Sequence, residues 1–448
     1  ATPSAPGSSK LRLYGVAAPG SADTLAYKNS SGLVRYLQTL GAEVLIPENY
    51  GSIGDNSTND YTALQAMFDS VSNVSVTQKH RPTVVLFTPG KIYVTGTTLK
   101  IQQYNVHVIG MGAGIRMTGT GPALMVDHAN SVNSVPGVNI SGLHIQANTG
   151  AGDHGIHARS APQIRITDCH FKDFASAGSS TVCCGGHAIL LEGCVSSTVA
   201  DNEIDKPGSS GIYVKAYNKN YSGQPTPTGN TTSGSAVISG MSSTTGISVG
   251  MGVSGTGIQS ASVVSSVDSS TQITISKTAS ASNSGVTLTF SVLAESQAVT
   301  IERNRVFAAG SIGILVSEGG GMKVYNNDVE GCTGGLEVRS SYHFEIISNY
   351  FETSSTDIAV RNTVDLIAAR EVLGGLIVGN TCESTAGINL VDGDDIHVFH
   401  NRISGTATIA SACARPLWGP QSEMTGSLTD SSTTTRYLPT IPADPGAD

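Results

Sequence analysis

One phrase recurs along this chain: two apolar positions, a fixed polar position and another apolar position. It reads Ile164, Ile166, Cys169, Phe171, then Val299, Ile301, Asn304, Val306, then Met322, Val324, Asn327, Val329. Further copies are Phe344, Ile346, Asn349, Phe351; Ile377, Asn380, Cys382; and Ile396, Val398, Asn401, Ile403. Intervals along Asn304, Asn327, Asn349, Asn380 and Asn401 are 23, 22, 31 and 21 residues. These are too short for paired-helix repeats and right for one turn of a parallel β-solenoid. Within each copy apolar residues alternate, as in a strand with one buried face. The fixed asparagine reads as a structural ladder, its short amide tolerating left-handed backbone and bonding the copy one coil away.

A second phrase follows the first: Gly211-Ile212-Tyr213-Val214, Gly313-Ile314-Leu315-Val316, Gly335-Leu336-Glu337-Val338, Asp357-Ile358-Ala359-Val360 and Gly387-Ile388-Asn389-Leu390. Each coil therefore carries at least two strands, and glycine supplies the freedom that a tight corner demands. Low charge (13%), few aromatics (5%) and 52 glycines suit a stacked β protein with many turns. A net charge of -9 argues against a nonspecific nucleic-acid partner, and no window has the apolar length of a membrane span. Seven cysteines cannot all pair within one chain. Cys169 falls at the asparagine position and Cys382 at an inward apolar one, both reading as packing thiols, and adjacent Cys183 and Cys184 have no second Cys/His cluster at ligand spacing. No metal or organic cofactor is expected.

The segment Asn49-Tyr50-Gly51-Ser52-Ile53-Gly54-Asp55, running into Tyr61-Thr62-Ala63-Leu64-Gln65-Ala66, resembles the entry motif of pectate-lyase-like β-helix proteins, above all bacteriophage tailspike polysaccharide depolymerases. Leu64, Met67, Phe68 and Val71 make an apolar stripe able to cover the open end of a solenoid. The expected architecture is all-β: a right-handed parallel β-helix with an N-terminal cap helix and an inserted small β-domain. Residues 1–48 read as linker and prelude, with Leu33, Val34, Leu37 and Leu40 marking a short helix. Residues 49–218 form the first part of the β-helix, 219–296 a Ser/Thr/Gly-rich inserted module, 297–403 the second part, and 404–448 an irregular tail. The resemblance implies a homotrimer, a virion-tail or extracellular location, and a bacterial capsular, O-antigen or exo-polysaccharide as partner.

Stacked coils place equivalent outward residues in columns about 4.8 Å apart. One column reads His157, Leu190, Tyr213, Leu315, Glu337, Ala359, Asn389, and the next reads Arg159, Glu192, Lys215, Ser317, Arg339, Arg361, Val391. Four cations in one file of an acidic chain have two readings: a surface ion pair of Glu192 with Lys215 beside solubilising arginines, or an expected groove for an anionic polysaccharide with His157, Glu192, Tyr213, Lys215, Arg339 and Arg361 as substrate-binding residues. Hydrolysis of a glycosidic bond uses two carboxyl groups. Glu337 and Asp357 are the candidate pair: one coil and two strand residues apart, about 8 Å between backbones, within the roughly 6.5–9.5 Å of inverting enzymes. Two alternatives stand beside hydrolysis. One is a lyase in which Arg339, Lys215 or Tyr213 abstracts a proton beside a uronate; the other is a glycan-binding spike or adhesin that does not cut. Polygalacturonase motifs are echoed only by Asp394-Asp395.

Overall fold

The computed structural model of the chain describes residues 12–14, 26–28, 43–71, 82–128, 133–172, 182–219, 223–260, 262–363 and 372–438. The helix expected near Leu33 lies outside them. Short strands of two to seven residues, closed by turns, wind into coils that each contribute one strand to three parallel sheets. Among the described residues these sheets hold 11, 12 and 14 strands, so the chain is a parallel β-helix. The apolar positions of the repeat stack inside: Ile140, Ile166, Val199, Ile301, Val324, Ile346, Ile377 and Val398 are all buried in one continuous core.

The asparagine of each phrase sits at the corner between the 14-stranded and 12-stranded sheets. Its amide nitrogen donates to a backbone carbonyl and to the Oδ1 of the next copy, and that Oδ1 also accepts the backbone N–H. For Asn327 these bonds are Nδ2 to Ile301 O and to Asn349 Oδ1, and N to Asn349 Oδ1, each 2.9 Å. The ladder runs from Asn202 through Asn304, Asn327, Asn349 and Asn380 to Asn401. Left-handed geometry, expected of the asparagine itself, belongs instead to the residue before it: Asp201, Arg303, Asn326, Ser348, Gly379 and His400 all have positive φ.

Two boundaries differ from the sequence expectation. Glu43–Leu45 already pairs with Thr83–Leu86, so the solenoid begins inside the expected prelude. The expected irregular tail continues the helix: Leu417–Trp418, Glu423–Met424, Leu428–Asp430 and Arg436–Tyr437 extend the three sheets in parallel. Its period was hidden because Gln421 replaces the asparagine, its Oε1 accepting from Asn401 N (3.0 Å) and Nδ2 (3.2 Å).

The cap helix Tyr61–Asp69 buries Leu64, Met67 and Phe68 at the solenoid end. Asp60 precedes it and accepts the N–H groups of Ile53 and Gly54, which fixes the entering turn. The inserted segment is an antiparallel layer of six strands plus a two-stranded ribbon, around a separate core that includes Ile273, Leu288 and Phe290. The coils on either side of it stack directly, Val199 on Ile301 and Val214 on Val316. The insertion is a loop on one coil and does not interrupt the ladder. Its first strand, Tyr217–Lys219, leaves the 11-stranded sheet beside the charged face described next.

Candidate functional site

The 11-stranded sheet stacks its rungs in the register read from the sequence: His157 on Leu190, then Tyr213, Leu315, Glu337, Ala359 and Asn389. Arg159, Glu192, Lys215, Ser317, Arg339 and Arg361 form the neighbouring column. Val126 pairs with Ala158, so Asp127 heads this second column one rung before Arg159. The columns read from the sequence begin at His157 and Arg159, one coil after the one that carries Asp127.

Two charged clusters occupy the face. In the first, Glu192 accepts from Arg159 Nε (2.8 Å), with His157 Nε2 2.8 Å and Lys215 Nζ 3.1 Å away. Only 8% of its side chain is exposed. Burial pushes its carboxyl up, but the hydrogen bond to His157 and the charges of His157, Lys215 and Arg159 outweigh burial and hold it well below the usual range. Arg159 Nη1 also approaches Asp127 Oδ2 at 3.6 Å. Beside them, the rings of His154 and His187 stack at 5.2 Å. His187 N–H donates to His154 Nδ1 and Ser210 N–H to His187 Nδ1, so both protons sit on Nε2. Burial lowers these histidines to about 4 and about 3, and both stay neutral at pH 7. Their column lies two residues ahead of the first inward position, outside the two columns the sequence singled out.

In the second cluster, Glu337 Oε1 accepts from Arg339 Nε at 2.6 Å and forms an ion pair with Arg361, whose Nε lies 3.1 Å away, and 6% of the Glu337 side chain is exposed. Between the clusters lies a small apolar strip of Leu190, Tyr213 and Leu315, with Ile312 against it. Charged, apolar and charged patches thus follow one another along the sheet. The 12-stranded sheet is a control: His170, Glu203, Arg305 and Asp328 stack there with pairs such as Lys172–Glu203 at 3.0 Å, and the acid and base are each about one-third or more exposed. Exposed ladders of that kind solubilise a sheet; the acids of the 11-stranded face are instead nearly buried.

Asp357 does not join Glu337 on this face. At the corner the backbone turns its side chain inward, where it is fully buried. Its carboxylate accepts from Thr353 Oγ1 (2.9 Å), Ser384 N (2.9 Å) and Ser384 Oγ. Strand spacing gave the separation from Glu337; it could not give the direction of a corner residue. Burial, opposed by the Ser384 and Thr353 bonds, raises Asp357 to about 6. A carboxyl with a raised folded pKa stabilises the fold fully below its unfolded value and loses that contribution as pH rises through the folded one. The Asp357 contribution should therefore fall by roughly 3 kcal/mol between about pH 4 and pH 6. Urea unfolding at steps of pH should show this slope in the native protein and its absence in Asp357→Asn.

The remaining acids serve other ends. Asp394 pairs with Arg415, and Asp395 lies 3.2 Å from His397 and 3.4 Å from Arg436, so the aspartate-rich turn stitches successive coils. Cys183 and Cys184 are buried with their sulfurs 3.2 Å apart, and all seven cysteines are free and buried. Among the described residues no group of three or more His, Cys, Asp or Glu could hold a metal, and no helix is long and apolar enough to cross a membrane.

Comparison with known proteins follows the fold. Residues 247–414 match the family described as the right handed beta helix region. Among solved structures, DFA-IIIase from Arthrobacter chlorophenolicus A6, without its lid and in complex with GF2, is similar at 12% identity and TM-score 0.52, over 89% of this chain and 92% of that one. The Streptococcus pneumoniae surface adhesin PfbA is similar at 14% identity and TM-score 0.49, over 88% and 100%. The enzymatically active domain of bacteriophage CBA120 tailspike protein 2 is similar at 10% identity and TM-score 0.48, over 88% of this chain and 47% of that one. No curated protein matches the sequence.

Proposed function

We propose that this right-handed parallel β-helix protein binds an acidic bacterial surface polysaccharide along its 11-stranded sheet and depolymerises it by hydrolysis. The observation that carries the reading is the pair of near-buried carboxylates on a solvent-facing sheet, each caged by cations: Glu192 by Arg159 and Lys215, with His157 bonded to it, and Glu337 by Arg339 and Arg361. A near-buried carboxyl held below its ordinary range by specific charge partners, as Glu192 is, marks a functional site more often than ordinary surface does. The apolar strip at Tyr213 and Leu315 gives a sugar ring a face to lie on, and the Arg339 and Arg361 guanidiniums, 25% and 39% exposed, are available to acidic substituents. Bond cleavage is assigned to the Glu192 cluster and anion binding to the Arg339–Arg361 end, because Asp357 is enclosed in the corner. The same fold carries an enzyme in DFA-IIIase.

The entry motif's resemblance to tailspikes extends the reading to a homotrimer on a virion tail or outside the cell. Sedimentation equilibrium checks the trimer. The function is tested by incubating the protein with purified capsular and O-antigen polysaccharides. New reducing ends without ultraviolet absorbance support hydrolysis, an unsaturated absorbing product supports a lyase, and binding without new ends supports a spike that only holds glycan. Arg339→Ala/Arg361→Ala should weaken binding of an acidic polysaccharide by about tenfold or more, and flatten its salt dependence. Titration at two salt concentrations reads both effects.

A further inference from the structure

We propose that Asp127 is the proton donor to the leaving oxygen in the hydrolysis assigned above. This inference rests on that reading and adds a residue that the two columns read from the sequence omit.

Three observations converge on Asp127. The pairing of Val126 with Ala158 puts it in the Glu192 column two rungs away, about 9.6 Å between backbones. Arg159, from the rung between, reaches both carboxylates at once, Asp127 Oδ2 at 3.6 Å and Glu192 Oε2 at 2.8 Å. The backbones stand just beyond the roughly 6.5–9.5 Å that separates the carboxyls of inverting enzymes, and side chains converging on one guanidinium bring these two carboxyls closer than their backbones. Finally, Asp127 Oδ1 is buried with no hydrogen-bond partner among the described residues, and 13% of the side chain is exposed. Burying that oxygen without a partner costs less for a neutral carboxyl than for an ionised one.

The electrostatics divide the labour. Burial raises Asp127, and the Arg159 charge only partly opposes it, while the cage lowers Glu192. Two carboxyls driven apart in this way make an acid and an ionised partner. Around Asp127 stand Arg159, His157 and Glu192 from the sheet, and Tyr217 and Lys219 from the strand opening the insert. Lys219 Nζ donates to Ser134 Oγ at 3.2 Å, which holds that strand against this end of the face.

The step balances. The bond between the anomeric carbon and the bridging oxygen breaks, its electron pair stays on the oxygen, and that oxygen takes the Asp127 proton. Water bonds to the anomeric carbon and its proton passes to Glu192, after which exchange with solvent returns both groups to their starting states.

The test is reducing-end release from uronate-containing capsular polysaccharides by the whole protein, its Asp127→Asn variant and its Asp127→Glu variant. The expected result is a loss of 100-fold or more in kcat for Asp127→Asn with half-saturation unchanged. Asp127→Glu should restore part of the rate and shift the alkaline limb of the pH profile, a change that a merely structural role would not produce. Undiminished kcat in Asp127→Asn, or an unmoved limb in Asp127→Glu, overturns the assignment while hydrolysis stands. A native protein that binds these glycans and releases no ends overturns the hydrolysis reading and this role together.

Discussion

Asn327→Ala is expected to lower the unfolding free energy by about 3–6 kcal/mol, the largest single-site effect in the solenoid. The substitution takes a partner from three buried groups: Asn304 N–H, which donates to Asn327 Oδ1 at 2.9 Å; the Ile301 carbonyl, at 2.9 Å; and Asn304 Nδ2, at 3.0 Å, which keeps Val199 O. Each abandoned partner costs about 1–3 kcal/mol when water cannot reach it, and Asn327 is 1% exposed. Because repeats couple only to their neighbours, the damage should spread as local opening of adjacent rungs. Hydrogen exchange should then speed up first at residues 299–307 and 344–351, alongside a reduced denaturation midpoint. The corner-replacing variant Asn327→Gln should recover part of the loss, since Gln421 already performs this role one coil after Asn401.

The second large effect is at Glu192. Glu192→Ala removes the anion shared by His157, Arg159 and Lys215 and leaves Arg159 and Lys215 facing one another on a nearly buried surface. Breaking a buried ion cluster from one side costs about 3–5 kcal/mol. A carboxyl held below its unfolded pKa stabilises the fold above that unfolded value, and the contribution is lost as pH falls towards the folded one. The stability gap between native protein and variant should therefore be full at pH 7 and shrink as pH drops below about 4.5. Urea unfolding at pH 7 and pH 3 checks the sign; a gap that grows on acidification would contradict the cage. Polysaccharide cleavage by the same variant should fall by about 10²–10⁴-fold.

Much of the architecture was legible because β-solenoids write their geometry into intervals. Positions that bury a side chain in every coil must recur once per coil, so Asn304, Asn327, Asn349, Asn380 and Asn401 announced both the repeat and the ladder. Aligning corners then yielded the columns that hold His157, Glu192, Tyr213, Lys215, Glu337, Arg339 and Arg361, and the structure keeps that register across the insertion. Where a coil used different residues for the same task, the signal faded. Gln421 hid the last coils.

By itself, then, the sequence determined that the chain stacks, which residues face in or out along each straight strand, and which outward residues become neighbours, because strand alternation and coil period are local properties repeated many times. Only the tertiary structure decided what happens at the corners and between columns. There the backbone turns Asp357 inward to Thr353 and Ser384, and one guanidinium from Arg159 joins Asp127 to Glu192. Side-chain direction at a turn, and the sharing of one charge by several partners, depend on where neighbouring coils put their atoms, and no interval in the chain encodes that.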